Sequence, residues 1–107
     1  MLVHEYMRAN PIPVSPESTC SDAFRLMLEK DIEKLPVVSE EGDLVGIVTK
    51  EDLLCALPSS AALLSVSEID HLFGTIVVAR VMTRRVISVS EDCPLEDAAR
   101  ILVDNRI

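Results

Sequence analysis

The sequence predicts a mixed α/β (α+β) chain in which one strand–helix–strand–strand–helix unit is written twice, the second time incompletely. Three observations carry this. First, residues 1–32 lie on residues 76–107 without a gap at an offset of 75, with nine identical pairs in 32. These are Val3/Val78, Met7/Met82, Ile12/Ile87, Val14/Val89, Ser15/Ser90, Asp22/Asp97, Ala23/Ala98, Arg25/Arg100 and Ile32/Ile107. Second, short apolar runs alternate with stretches of helical spacing. Third, two of those runs flank an acidic turn, EEGD, which is a hairpin signal.

The first copy can be justified element by element. Pro11–Ser15 reads as a short extended stretch, because proline fixes extended geometry and is tolerated at a sheet edge. A helix follows from about Thr19 to Asp31, with Thr19 and Asp22 at capping-box spacing and Ala23, Leu26 and Met27 on an apolar face. In the second copy Pro94 suits the first helical position, which would put the cap at Cys93 and, by alignment, at Ser18. Leu35–Ser39 and Leu44–Thr49 are the hairpin strands. Glu51 to Leu57 is a second helix, stopped by Pro58. Residues 58–75 are a connector with a short helix: Ser65 and Glu68 fit a capping box, Ile69, Leu72 and Phe73 supply an apolar side, and Gly74 is the expected C-terminal stop. The second copy runs from 76 to 107. Its own hairpin and the equivalent of GIVTKEDL would fall at about residues 110–127 by the offset, so a longer natural chain or a partner is expected to supply them.

Composition narrows the function classes. Of the 107 residues, 26% are charged and the formal net charge is −8. An acidic domain repels phosphate backbones, so nucleic acid is not an expected partner. The positive charge is local, in ARVMTRR, where Arg80, Arg84 and Arg85 cluster. No apolar run reaches the roughly 20 residues needed to cross a bilayer, and the N-terminus has no signal-peptide core. Neither membrane insertion nor secretion is expected. Cys20, Cys55 and Cys93 are odd in number and widely spaced, which suits reduced thiols in a cytoplasm. His4 and His71 have no paired ligand spacing, so no metal site is expected. No nucleophile, base and orienting group can be assembled, so the chain is not expected to be an enzyme.

The stretch GIVTKEDL, Gly46 to Leu53, places a hydroxyl and a carboxylate where a strand gives way to a helix. Thr49 and Asp52 have the spacing of a helix cap, which needs no ligand. The alternative reading of the pair is a binding site. A carboxylate can accept from two hydroxyls at once, and a helix start favours anions. Gly46, with no Cβ, allows a ligand or backbone to approach closely.

These residues, taken in order, resemble a cystathionine-β-synthase (CBS) domain pair, or Bateman module. The matches are the Met7 and Met82 lead-ins, PIPVS and VISVS, DAFRLMLEKDI and DAARILVDNRI, LPVV at Leu35–Val38, and GIVTKEDL. The likeness covers the whole chain as one complete β-α-β-β-α repeat (1–57), a linker (58–75) and the N-terminal part of a second repeat (76–107). The connector SSAALLSVSEIDHL also resembles that of acetoin-utilisation-type CBS proteins.

The resemblance implies a regulatory module that senses an adenine nucleotide in the cleft between repeats and reads it out as a change in repeat orientation. The candidate ligands are AMP, ADP, ATP or S-adenosylmethionine, with no obligatory cofactor. Gly46 to Asp52 match the family's site pattern. Asp52 is then the ribose clamp and Thr49 a phosphate contact. Lys34 stands where some members place a basic phosphate contact, and Pro36 in LPVV joins the nucleotide-binding set. The adenine wall maps to Thr83, Ile87 and Ile107, and Arg84 and Arg85 are weaker phosphate candidates. A homodimer and a regulated protein partner are also implied. The alternative is a ligand-free dimerisation or protein-interaction module, in which Asp52 would not matter for binding.

Overall fold

The computed structural model describes residues 1–107 apart from the side chain of Ala61. The elements run α1 (Cys20–Lys30), β1 (Lys34–Val38), β2 (Leu44–Thr49), α2 (Lys50–Cys55), α3 (Val66–Gly74) and α4 (Leu95–Asn105), with short 3-10 turns at Val3–Glu5, Ala61–Leu63 and Val78–Arg80. The class is α+β. The chain forms two compact units, one of Ile12–Val86 and the other of Met1–Pro11 with Ile87–Ile107.

In the Ile12–Val86 unit, α1 starts where Thr19 Oγ1 accepts the N–H of Asp22 at 3.1 Å. It ends at Asp31, whose left-handed φ of 52° closes the last turn onto the Met27 carbonyl. Cys20, Ala23 and Met27, at helical spacing, are its buried face. β1 and β2 form an antiparallel hairpin in which Leu35 faces Val48 and Pro36 faces Ile47. Leu35, Val37 and Val48 point to the core, as the two-residue period of a strand requires. Gly42, at φ +89°, makes the reversal that a side chain would strain. Leu53 of α2, Phe73 of α3, Val78 and Met82 complete this core. Phe73 stacks obliquely on Phe24 at 5.5 Å, and Ser21 Oγ donates to Asp70 Oδ1 at 2.7 Å, fastening α3 to α1.

Four expectations are corrected. Pro11–Ser15 forms no strand. Val14 alone makes a parallel bridge to Val37, through Val14 N–H to Pro36 O at 3.0 Å and Val38 N–H to Val14 O at 2.9 Å. Pro11, Pro13 and Pro16 have no N–H, so the ladder cannot extend. α2 ends at Cys55 rather than Leu57, its end tightened by the Leu57 N–H to Leu54 O bond of 3.2 Å. Pro58 disfavours helical geometry at Leu57, so its influence starts one residue early. Pro94 is the N-cap of α4, not its first residue, and Thr19 rather than Ser18 caps α1. Finally, α3 is not stopped by a left-handed glycine. Gly74 is its last residue, and Thr75 Oγ1 donates to Leu72 O at 2.7 Å to close the end.

The repeat is also written in the backbone bonding. In the Ile12–Val86 unit, Cys20 N–H donates to Ile76 O (2.8 Å), Val78 N–H to Ser18 O (2.7 Å) and Ala79 N–H to Pro16 O (2.9 Å). In the other unit, Leu95 N–H donates to Met1 O (2.9 Å), Val3 N–H to Cys93 O (2.9 Å) and His4 N–H to Glu91 O (2.8 Å). The offset of 75 maps one set onto the other. In each unit the lead-in of one copy satisfies backbone groups around the helix start of the other copy.

Among the described residues, no helix is long and apolar enough to cross a membrane. All three cysteines are free. Burial pushes the Cys20 thiol above its ordinary value, because an enclosed thiolate loses its hydration. An acid whose pKa is raised on folding holds its proton longer when folded, so its contribution to stability falls as pH climbs past the ordinary thiol value. Iodoacetamide is therefore expected to label exposed Cys55 in the folded protein and Cys20 only after unfolding. Peptide mass mapping checks this, and equal labelling of both would contradict the buried position of Cys20.

Candidate functional site

The site is built at the end of β2. The sheet brings residues 46–49 across from Lys34–Val37: Gly46 pairs with Val37, Ile47 with Pro36 and Thr49 with Lys34. At Thr49 the chain turns into α2, and a reciprocal capping box forms. Thr49 Oγ1 accepts the Asp52 N–H at 3.0 Å, and Asp52 Oδ2 accepts the Thr49 N–H at 3.0 Å. The expected helix cap is therefore present. It does not exhaust either side chain, since a carboxylate offers about four acceptor positions and both residues are half-buried rather than enclosed.

A segment from the second copy lies against this corner. Ile47 and Thr83 exchange backbone hydrogen bonds, Ile47 N–H to Thr83 O at 2.9 Å and Thr83 N–H to Ile47 O at 2.8 Å. That brings the Thr83 hydroxyl to 3.5 Å from Asp52 Oδ1 and 3.4 Å from Oδ2. Gly46 makes the approach possible. A Cβ there would stand 2.7 Å from Met82 Sδ and 3.0 Å from Thr83 O. In this unit the missing Cβ makes room for the Met82–Thr83 segment.

The candidate residues fall into three groups. Gly46, Thr49, Asp52 and Thr83 are brought together, with Pro36 and Lys34 on the strand opposite. Lys34 is exposed. Arg84 Nη2 donates to Ala79 O at 3.2 Å, and both Arg84 and Arg85 are exposed. Ile87 and Ile107 belong to the other unit and both are exposed. Sequence reasoning missed Met82 and Ile47 as parts of the corner. The one signal for Met82 is its identity with Met7 across the repeat. No cluster of three His, Cys, Asp or Glu side chains able to hold a metal is found among the described residues.

Comparison with known proteins gives a consistent picture. The family model for the CBS domain matches residues 3–59 and 78–107. Among solved structures, an acetoin utilisation protein (AcuB) from Vibrio cholerae superposes with a TM-score of 0.82 at 29% identity, covering 100% of this chain and 72% of that one. CBSX2 in complex with AMP superposes at 0.77 and 33% identity, covering 99% and 76%. The CBS domain pair of protein MJ0100, in complex with 5′-methylthioadenosine and S-adenosyl-L-methionine, superposes at 0.81 and 27% identity, covering 100% and 75%. Three curated relatives are much longer: this chain spans 11%, 33% and 17% of their lengths.

Proposed function

The chain belongs to the CBS domain family, and on that premise we propose that it is a regulatory module sensing an adenine nucleotide at the Asp52 corner. The observation that carries this is the Thr49–Asp52 box with Thr83 beside it: a half-buried carboxylate with acceptor capacity left after capping. Asp52 would accept the two ribose hydroxyls. Thr49 accepts the Asp52 N–H, so its own O–H remains to donate to a phosphate oxygen. Lys34 supplies local positive charge in an acidic chain. The AMP in CBSX2 and the S-adenosylmethionine in MJ0100 support adenine ligands as the class to test. In this reading residues 1–57 are the first repeat, 58–75 the linker and 76–107 the start of the second. The readout is a changed orientation between repeats, which a ligand can produce only by binding one arrangement better.

A second reading, a ligand-free homodimerisation or protein-interaction module, is favoured by an apolar groove. Its volume is about 710 Å³, and Phe24, Leu28, Leu54, Leu57, Val66 and Phe73 are among its lining residues. Exposed apolar surface of this kind marks interaction faces.

A thermal-shift titration with AMP, ADP, ATP and S-adenosylmethionine separates the two. A ligand at 100 times its Kd raises the stability of a folded binder by about 2.7 kcal/mol. The shift is expected in the wild type and absent in Asp52→Ala. Glu68→Ala removes the equivalent capping acid from α3 and is expected to keep the shift, which controls for loss of a cap. No shift with any nucleotide in the folded wild type would leave Thr49 and Asp52 as a helix cap and the interaction module as the better reading.

A further inference from the structure

We propose that residues 1–11 are a detachable strap whose closure adds a second tether between the two units and so restrains their rearrangement. The inference goes beyond the nucleotide reading and needs no ligand. The chain passes between the units at Pro11–Ile12 and again at Val86–Ile87. The second crossing leads straight into the segment that carries α4. The first is a tether only while residues 1–11 stay bonded to residues 91–95. They do so through backbone bonds: Val3 N–H to Cys93 O and Leu95 N–H to Met1 O, both at 2.9 Å, and His4 N–H to Glu91 O at 2.8 Å. With these bonds closed, two connections hold the units. With them open, one does.

The repeat supplies an internal standard for how firmly such a strap is held. The offset of 75 pairs these bonds with Val78 N–H to Ser18 O, Cys20 N–H to Ile76 O and Ala79 N–H to Pro16 O. The backbone bonds match, and the side chains do not. In residues 76–86, Val78 is fully buried and Met82 is 9% exposed, and both belong to the core. Val3, the counterpart of Val78, is only half-buried, and Met7, the counterpart of Met82, is 42% exposed. The bonds Leu2 N–H to Glu5 Oε2 and Tyr6 O–H to Met1 Sδ, both at 3.0 Å, lie within the strap, so they shape it without fastening it. The ion pair from His4 Nδ1 to Asp92 Oδ1, at 4.0 Å, is solvent-exposed and contributes little. A segment with few buried apolar contacts and exposed backbone bonds opens locally while the rest stays folded. At its join to Ile12 the strap is stiff, because Asn10 takes a left-handed φ of 57° and Pro11 fixes its own φ. A closed strap therefore acts as a tether without slack.

Hydrogen exchange followed by NMR on the full chain reads the opening amide by amide. Protection at Val3, His4 and Leu95 is expected to be at least about 10-fold lower than at Val78, Ala79 and Cys20, because the strap lacks the buried anchors of its counterpart. Leu95 should exchange in step with Val3 and His4, and Ile101 and Leu102 inside α4 more slowly. Equal protection of the matched amides overturns the strap. So does exchange of Ile101 and Leu102 at the strap's rate, which would mean that the whole unit opens at once. The tether is read by the distance distribution between spin labels on Cys55 and on Asp104→Cys, both exposed positions, in a chain carrying Cys93→Ser. In that chain Val3→Pro removes one strap donor where the backbone accepts proline. Leu2 is extended, as a residue before proline prefers, and Val3 is the first residue of its 3-10 turn. Val3→Pro should lower protection at His4 and Leu95, leave Cys20 and Val78 unchanged, and broaden the distance distribution. A distribution no broader than that of the parent overturns the restraint. Loss of protection at Ile101 and Leu102 in Val3→Pro would make strap and unit one body and would overturn it as well.

Discussion

Phe73→Ala is expected to destabilise the Ile12–Val86 unit by about 3–5 kcal/mol, whereas Leu63→Ala changes stability by less than about 0.5 kcal/mol. Both residues lie in the connector and both are large and apolar. They differ in surroundings. Phe73 is 1% exposed and Leu63 is 88% exposed. Phe73 rests on Phe24 at 5.5 Å and is the largest fully buried side chain of the core. Removing it deletes the transfer energy of a ring and leaves a cavity that α1 and α3, already fastened by Ser21 and Asp70, cannot readily collapse to fill. A small domain has only about 5–15 kcal/mol in total, so the loss is a large share of it. Urea unfolding followed by circular dichroism reads the difference as a shift in midpoint at constant slope. Equal midpoints for the two variants would mean that α3 contributes nothing to the core.

What could be read from the sequence was what short-range chemistry decides. The capping boxes at Thr49/Asp52 and Ser65/Glu68 form as their three-residue spacing requires, because each pairs a side chain with a backbone group one turn away. The hairpin follows from two apolar runs around a glycine turn. The strand expected at Pro11–Ser15 shrank to one bridge because a strand is a property of its donors, and three of the nearby residues have none.

The candidate corner was half legible for a related reason. Thr49 and Asp52 advertise themselves locally. That Met82 packs over Gly46, and that Thr83 pairs with Ile47, joins residues 36 positions apart, and no periodicity reports such a contact. The repeat carried a hint, since Met7 and Met82 are identical. The repeat at the level of hydrogen bonds, with each lead-in serving the other copy's helix, became visible only in the folded chain. Arg84 is a similar case: its place beside the corner in sequence is legible, whereas the bond from its guanidinium to the Ala79 carbonyl is a contact that only the folded chain shows.

The two glycines at positions 46 and 74 should respond to the same substitution with opposite signs. Neither has the positive φ that would penalise alanine by itself. At Gly74, at the end of α3, an added Cβ meets nothing within 4 Å. Alanine there gives up only chain freedom in the unfolded state, so Gly74→Ala should be neutral or stabilising by up to about 1 kcal/mol. At Gly46 the Cβ would stand 2.7 Å from Met82 Sδ, 3.1 Å from Met82 Cγ and 3.0 Å from the Thr83 carbonyl. The thioether can swing aside, because methionine has three rotatable bonds. The carbonyl cannot move without loosening its bond from the Ile47 N–H. Gly46→Ala should therefore cost about 1–3 kcal/mol as overpacking. In a double-mutant cycle with Met82→Ala, whose own cost as a core deletion is subtracted, only part of that loss should be recovered, since the deletion relieves the sulfur contact and leaves the carbonyl one. Full recovery would place the whole conflict in the Met82 side chain. No recovery would place it in the backbone bridge, and with it the tie between Thr83 and the Asp52 corner.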